Sequence, residues 1–298
     1  MNLLQLQYFK ALAEREHLGK TAEELRISAP SLSATIARLE RELDVRLFDR
    51  SGKHIRLNNF GRMYLEHVKN IFTSLDNAQK ELKDAKKEKN NKIFIAMSSP
   101  TIYHQTFQAF LKEQPDISTS YTIIKVENWL DPSYLFQFDF ILTTSTDIIG
   151  DDWEYEILCP DDKAMLVVYK GHPFETRTSV NFIETKEERF IALSKGYSTR
   201  KFFDSLCAAG NFTPNIILEC DYQMRSKLVA EKYGITITTE SGARSAAWNN
   251  GIRFIGISDP GMCRPQALIW NKRKYMTRSA MIFRDFITSY YKEHLFGC

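Results

Sequence analysis

The sequence predicts an α+β protein of more than one domain: a small helical head closed by a β-hairpin, a long connecting helix, and a larger α/β portion. Three observations carry that prediction. The chain has 298 residues, a length that suits about two domains. Apolar residues recur at a helical period through most of the first part. From Lys92 onward they gather instead into short β-branched and aromatic runs separated by helical segments. With 43% of residues hydrophobic and 26% charged, there is enough apolar material to fill cores, so disorder is not the default.

The head begins with Leu3, Leu4, Leu6, Tyr8, Phe9, Leu12 and Ala13, which share one face of a helix. A second short helix is anchored by Ala22 and Leu25, with Arg26 and Ile27 leading out of it. A third helix is predicted over residues 30–44. Ser28 is a natural N-cap and Pro30 suits a first turn. Leu32, Ile36, Leu39 and Leu43 follow at spacings of three and four. Residues 47–50 and 54–57 read as two short strands with Ser51 and Gly52 as the turn. Such a hairpin stands directly behind the amphipathic helix.

Residues 59–88 form a long helix without proline. Leu65, Val68, Phe72, Leu75 and Leu82 approximate an a/d rhythm that Gln79 interrupts. A helix with one narrow apolar stripe must pack against something. The favoured reading is a linker and dimerisation helix; the alternative packs the stripe on the helix's own domain. Its polar end, KDAKKEKNN, leads into the α/β portion.

Buried strands are expected at residues 92–99, 121–126, 138–145, 164–170, 189–194, 234–239, 254–257 and 266–271. Helices are expected at 101–112, 199–209, 224–232 and 278–294. Strands alternating with helices predict a mostly parallel α/β sheet.

Net charge is only +3, which selects no partner by itself. Its distribution says more: residues 1–92 carry 18 Lys+Arg against 13 Asp+Glu, the remainder 22 against 24. A mildly basic head joined to a slightly acidic remainder fits a nucleic-acid-binding module attached to something else. The N-terminal stretch lacks the basic and apolar regions of an export signal, and no run approaches the ~18 apolar residues of a membrane span. Five cysteines at 159, 207, 220, 263 and 298 are widely spaced with no metal pattern. They read as reduced thiols in the cytosol, a redox pair being the alternative.

Catalytic signatures are missing: there is no GxSxG, HExxH, Walker-type loop or GxGxxG. Asp151-Asp152 and Asp161-Asp162 are adjacent acids, which usually point apart, and His172 precedes Pro173 in a turn. An enzyme is not expected, and no cofactor or metal is implied.

Residues 5–61 resemble the LysR-type transcriptional regulators. The resemblance rests on Tyr8-Phe9, Thr21-Ala22, Leu25, the run from Ser28 to Ser33, Ile36, Leu39-Glu40, Leu43, Leu47-Phe48, Arg50, and Leu57 with Gly61. It continues more weakly to the end through His172-Pro173, Gly234-Ile235 and the last helix. What it implies is a winged helix-turn-helix at 1–58, a linker helix at 59–90 and an effector domain at 91–298. That domain would have two halves resembling the periplasmic binding protein fold, at 91–160 plus 264–298 and at 161–263. Crossovers near Pro160 and Pro265 would act as hinges. Homodimers or homotetramers on two-fold symmetric operator DNA are implied too.

In such a module the first exposed residues of the third helix reach base edges. Here these are Ala29, Pro30, Ser31, Ser33, Ala34 and Thr35. Ser31 and Ser33 could instead serve as caps. The family often has glutamine at position 29 and a long polar residue at 34. Alanine at both predicts methyl contacts and shape readout in place of polar base contacts. Phosphate contacts are expected from Arg38 and, at the wing, from Arg50, Lys53 and His54, with Arg26 and Arg41 as ordinary surface charges.

Ligands of open α/β sheets sit beyond the carboxyl ends of strands and against helix N-termini. Three stretches qualify: Ser98, Ser99 and Thr101 around Pro100; Thr143, Thr144 and Ser145; and Lys195, Gly196, Tyr197 and Ser198. Their hydroxyls, backbone N–H groups and Lys195 suit a small anionic or polar effector. Two rivals remain open at this stage. One is a DNA-binding regulator whose C-terminal domain only oligomerises; the other is a cytosolic solute-binding protein.

Overall fold

The computed structural model describes all residues except 52–53, 87–91, 145–149, 246–247 and 295–298. The described chain forms two compact units, Met1–Leu82 and Lys83–Cys298.

The first unit contains α1 (Leu3–Arg15), α2 (Leu18–Glu24), α3 (Ala29–Leu43), β1 (Phe48–Ser51), β2 (His54–Leu57) and most of α4 (Asn59–Ala85). Each of the first three helices is capped by a side chain. Asn2 and Gln5 make a reciprocal box on α1, His17 Nδ1 accepts from Lys20 N, and Ser28 Oγ accepts from Ser31 N. α1 and α3 end on Glu16 and Asp44 in the left-handed region, and Arg26, one residue past the cap of α2, lies there as well. The chain can therefore reverse direction within two or three residues. Leu6, Phe9, Leu12, Ala22, Leu32, Ile36, Leu39, Phe48, Ile55, Leu57, Leu65 and Val68 fill one core. Each large apolar side chain there contributes about 2 kcal/mol through burial.

α4 divides the two readings of its apolar stripe. Leu65 and Val68 are buried in the head core and Phe72 packs against it. Ile71, Leu75 and Leu82 stay exposed. The expected single stripe is thus corrected: its first half is held by its own unit, because α4 starts against the hairpin, and only the later turns face outward.

The second unit holds β3 (Lys92–Met97), α5 (Pro100–Glu113), β4 (Ser118–Ile123), α6 (Pro132–Leu135), β5 (Phe140–Thr144) and β6 (Trp153–Cys159). Next come β7 (Ala164–Tyr169), β8 (Ser179–Val180), β9 (Arg189–Leu193), α7 (Ser198–Ala209), β10 (Asn215–Cys220) and α8 (Tyr222–Ala230). It closes with β11 (Thr236–Thr239), α9 (Glu240–Ala243), β12 (Ile252–Ile257), β13 (Gln266–Asn271) and α10 (Arg278–His294). One sheet has the order β4-β3-β5-β13-β6. One face of it meets α5 and α10 through Tyr103, Phe110 and Phe283, and the other meets Trp129, Leu135 and Phe138. A second sheet has the order β11-β7-β12-β8. The parallel pair β10-β9 adjoins it through a bridge between Phe190 and Ile235.

The expectation of mostly parallel sheets is corrected. β3 pairs in parallel with β4 and β5, but β13 runs antiparallel to both β5 and β6. β7 is antiparallel to β11 and β12. The cause is topological. β13 returns to the first sheet directly from β12, with no helix between them to turn the chain around. Both connections between the sheets run side by side: Lys163 pairs with Cys263, and Arg264 N donates to Asp162 O at 2.9 Å. No helix among the described residues is long and apolar enough to cross a membrane.

Candidate functional site

In the first unit, Leu32, Ile36 and Leu39 point α3 into the core and leave its opposite edge outward. Pro30, Ser31, Ala34 and Arg38 are exposed, while Ala29, Ser33 and Thr35 are half-buried. Ser31 offers its backbone rather than its hydroxyl to the helix: its N–H goes to Ser28 Oγ, and its carbonyl accepts from Thr35 Oγ1 at 2.9 Å. The Thr35 hydroxyl is thereby tied to its own helix, a local bond that competes with any outward contact.

Two carboxylates, whose role the sequence does not reveal, hold the hairpin, one from α3 and one from the C-cap of α1. Glu40 Oε1 accepts from Leu47 N at 2.8 Å and Phe48 N at 3.2 Å. Glu16 Oε1 accepts from Leu57 N at 2.7 Å. β1 and β2 pair Arg50 with Ile55 and Ser51 with His54. Lys53 lies outside the described residues. The arrangement offers a rigid helix edge next to a hairpin, the shape a major groove and its flanking phosphates accept.

In the second unit, a cavity of about 320 Å³ opens between α5 and β4 on one side and α8 on the other. Met97, Thr101, His104, Phe107 and Tyr121 line it from one side; Tyr222, Gln223, Arg225, Ser226 and Trp248 line it from the other. The first turns of α5 and α8 both border it. Arg225 belongs to the row Tyr222, Arg225, Ser226, Val229, which α8 turns inward. Its guanidinium carbon lies 5.3 Å from the Tyr222 ring centre and 5.0 Å from that of Trp248. Burial pushes this guanidinium down to about 10, so it stays charged at neutral pH.

Behind the cavity a buried polar network links α5 and β13 with the crossover at Asp162, α7 and α8. Arg264 donates to Ser198 Oγ at 2.5 Å and Thr199 Oγ1 at 3.1 Å. Thr199 and Tyr222 share a bond of 3.0 Å, and Tyr222 OH donates to Ser98 O at 3.0 Å. Tyr103 OH donates to Gln266 Oε1, and Gln266 Nε2 donates to Asp162 Oδ2 and to Arg264 O. Asp162 also accepts from Ser241 N. Its carboxyl is raised above the ordinary carboxylate range, because burial outweighs those donors.

Of the residues singled out for a ligand, Thr101 lines this cavity. Ser98 and Ser99 lie buried beside it, and the Ser98 hydroxyl finds no partner among the described residues. Thr143 and Thr144 are buried in β5 opposite Ala267 and Gln266. Lys195 is exposed, and Tyr197 makes an edge-on contact with Tyr222 at 5.3 Å. Ser198 is engaged by Arg264. Gly196 meets the segment after β4: its carbonyl accepts from Val126 N at 2.7 Å. Its φ of +97° needs glycine. Ser145 lies outside the described residues. The sequence does not single out Tyr222, Arg225, Ser226, Trp248, Arg264 or Gln266.

Comparison with known proteins decides what this architecture is. A family model described as "LysR substrate binding domain" matches residues 87–292. A second, "Bacterial regulatory helix-turn-helix protein, lysR family", matches residues 3–62. The chain belongs to the LysR family. It is a DNA-binding transcription regulator with an effector-binding domain, and its relatives are regulators, not enzymes. This LysR-family regulator is 29% identical over 293 residues to the HTH-type transcriptional regulator YybE of Bacillus subtilis, covering 97% of this chain and 99% of that one. To the transcriptional dual regulator GltC of the same organism it is 27% identical, covering 98% of each. A full-length OxyR variant from Pseudomonas aeruginosa has the same fold, with a TM-score of 0.66 at 21% identity, over 96% of this chain and 94% of that one.

Proposed function

We propose that this LysR-family regulator binds operator DNA through the exposed edge of α3 and the hairpin behind it, and that a small effector enters the cavity between the halves of the second unit. The reading divides the chain into a DNA-binding head at 1–58, a linker helix at 59–90 and an effector domain at 91–298. The domain's halves are 91–160 plus 264–298 and 161–263, with the paired crossovers as hinges. Pro30, Ser31, Ala34 and Arg38 meet DNA most directly. Ala29, Ser33 and Thr35 border them, and Arg50, Lys53 and His54 serve the flanking phosphates. Operator DNA as the partner implies a cytoplasmic protein.

Assembly as a homodimer or homotetramer uses α4. Ile71, Leu75, Ala78 and Leu82 recur at spacings of four and three, the rhythm of a helix–helix seam. Closure of the halves on an effector changes how the subunits, and so their heads, are spaced. The effector must favour one arrangement over the other for the equilibrium to move.

The cavity carries this reading: residues from both halves line it, so a molecule inside touches both at once. The test is thermal unfolding of the full chain against a panel of small metabolites, for the wild type and for Ser226→Trp, whose indole would occupy the space. A compound that raises the wild-type melting temperature by mass action and leaves Ser226→Trp unmoved supports the reading. Equal response of both proteins refutes it.

A further inference from the structure

We propose that the molecule recognised in this cavity is a small carboxylate with an apolar or aromatic body, and that Arg225 is its counter-ion. The inference rests on the effector reading above and names the chemistry of that site.

Arg225 is 2% exposed. Among the described residues, no carboxylate pairs with it, although ion pairs are made elsewhere in both units. Its Nη1 donates to Ile237 O at 3.2 Å, and its Nε has no acceptor among the described residues. The ionisable neighbours that act on it are Tyr222 and Cys220, neither of them a carboxylate. A guanidinium taken out of water without a counter-charge is unfavourable for the folded chain. Arg200, by contrast, is 6% exposed and holds both Asp204 and Glu219. Arg264 is likewise buried without a carboxylate, but Ser198 and Thr199 take its guanidinium. Arg225 is the buried cation that lines the cavity with a nitrogen lacking an acceptor among the described residues.

The rest of the lining limits what brings the negative charge. α5 and α8 present their first turns to the space, and the N-terminal ends of helices favour anions. Tyr222 and Trp248 both lie within cation–π distance of the guanidinium, and a guanidinium pairs well with a planar carboxylate. Met97, Phe107, Tyr121 and Trp248 form an apolar surround. At about 320 Å³ the space lies at the small end of ligand sites. One guanidinium balances one carboxylate; the double charge of phosphate would leave a net negative charge in an apolar cavity.

The experiment uses the full-length protein with three probes: phenylacetate, its neutral isostere phenylacetamide, and inorganic phosphate. Binding is read by titration calorimetry and by melting temperature, for the wild type and for Arg225→Met. The wild type should prefer phenylacetate over phenylacetamide by about tenfold or more in Kd, and Arg225→Met should lose that preference. Without a probe, Arg225→Met should melt no lower than the wild type, since it removes a buried unpaired charge. Equal binding of acid and amide would leave the effector cavity standing and overturn the carboxylate assignment. Phosphate binding that needs Arg225 while phenylacetate fails would likewise overturn it. A fall in the melting temperature of Arg225→Met with no acid preference in the wild type would make Arg225 a structural cation and overturn the proposal.

Discussion

Arg264 and Ser198 are joined side chain to side chain, Nη2 donating to Oγ at 2.5 Å, and this bond fastens the second crossover to the first turn of α7. Both residues are buried, and Thr199 Oγ1 takes the other guanidinium nitrogen. Replacing Arg264 with Met keeps most of the volume and removes two charge-assisted bonds. The expected cost is about 3 kcal/mol to the second unit, read as a lower urea midpoint in near-ultraviolet circular dichroism. An unchanged midpoint would show that the crossovers are held by their backbone pairing alone.

Asp162, beside that crossover, makes the second unit's stability depend on pH. Its carboxyl is raised above its ordinary value of 3.8, chiefly by burial. Below that value the group is protonated whether the chain is folded or not. As pH climbs past it, the unfolded chain releases the proton while the folded chain keeps it, so stability drains away until the folded group ionises as well. Asp162→Asn removes this dependence. Urea midpoints at pH 4 and pH 7 should show the wild type losing ground to the variant as pH rises. A gap independent of pH would mean that the native donors Ser241 N and Gln266 Nε2 hold the carboxylate charged.

How much of this is legible without the structure depends on periodicity. The last helix is expected at 278–294 and occurs at Arg278–His294, because its apolar row is long and regular. β6 leaves no such trace: Glu154, Tyr155 and Glu156 face outward or half-outward at a sheet edge, so no buried run marks it. β10 is hidden for the same reason, with Asn215 and Glu219 among its exposed positions. At the cavity, reasoning from strand ends finds Thr101 and the neighbouring Ser98 and Ser99. It misses Arg225, which lies on a helix flank. A signal is present: Tyr222, Arg225, Ser226 and Val229 sit at the spacing of a buried face, and an arginine in such a row asks for a counter-charge. Trp248 reaches the cavity from a loop, where pattern carries no information about burial.

Gly61 shows how closely α4 starts against the hairpin. A Cβ there would fall 2.1 Å from Leu47 O and 2.6 Å from Leu57 Cδ1. Backbone cannot yield as a flexible side chain does, so Gly61→Ala must push the hairpin away from α4. The expected destabilisation of the first unit is about 2 kcal/mol, with DNA affinity falling in parallel because the wing loses its seat. Far-ultraviolet thermal unfolding checks the first effect and a gel mobility shift the second. Wild-type values in both would show that the hairpin can slide without cost.

Arg38 distinguishes phosphate contact from base reading at the α3 edge. It is exposed well beyond the N-cap, far enough along the helix to face the groove wall in the geometry this module uses. A phosphate contact releases about one counterion, so Arg38→Ala should lower the salt slope of log K by about 0.9 and weaken specific and random DNA alike. Affinities measured from low to moderate salt on both kinds of DNA would show this. A variant that keeps the wild-type slope but loses preference at one base pair would place Arg38 on a base edge instead, and Ala34 beside it would then contribute contact area without discrimination.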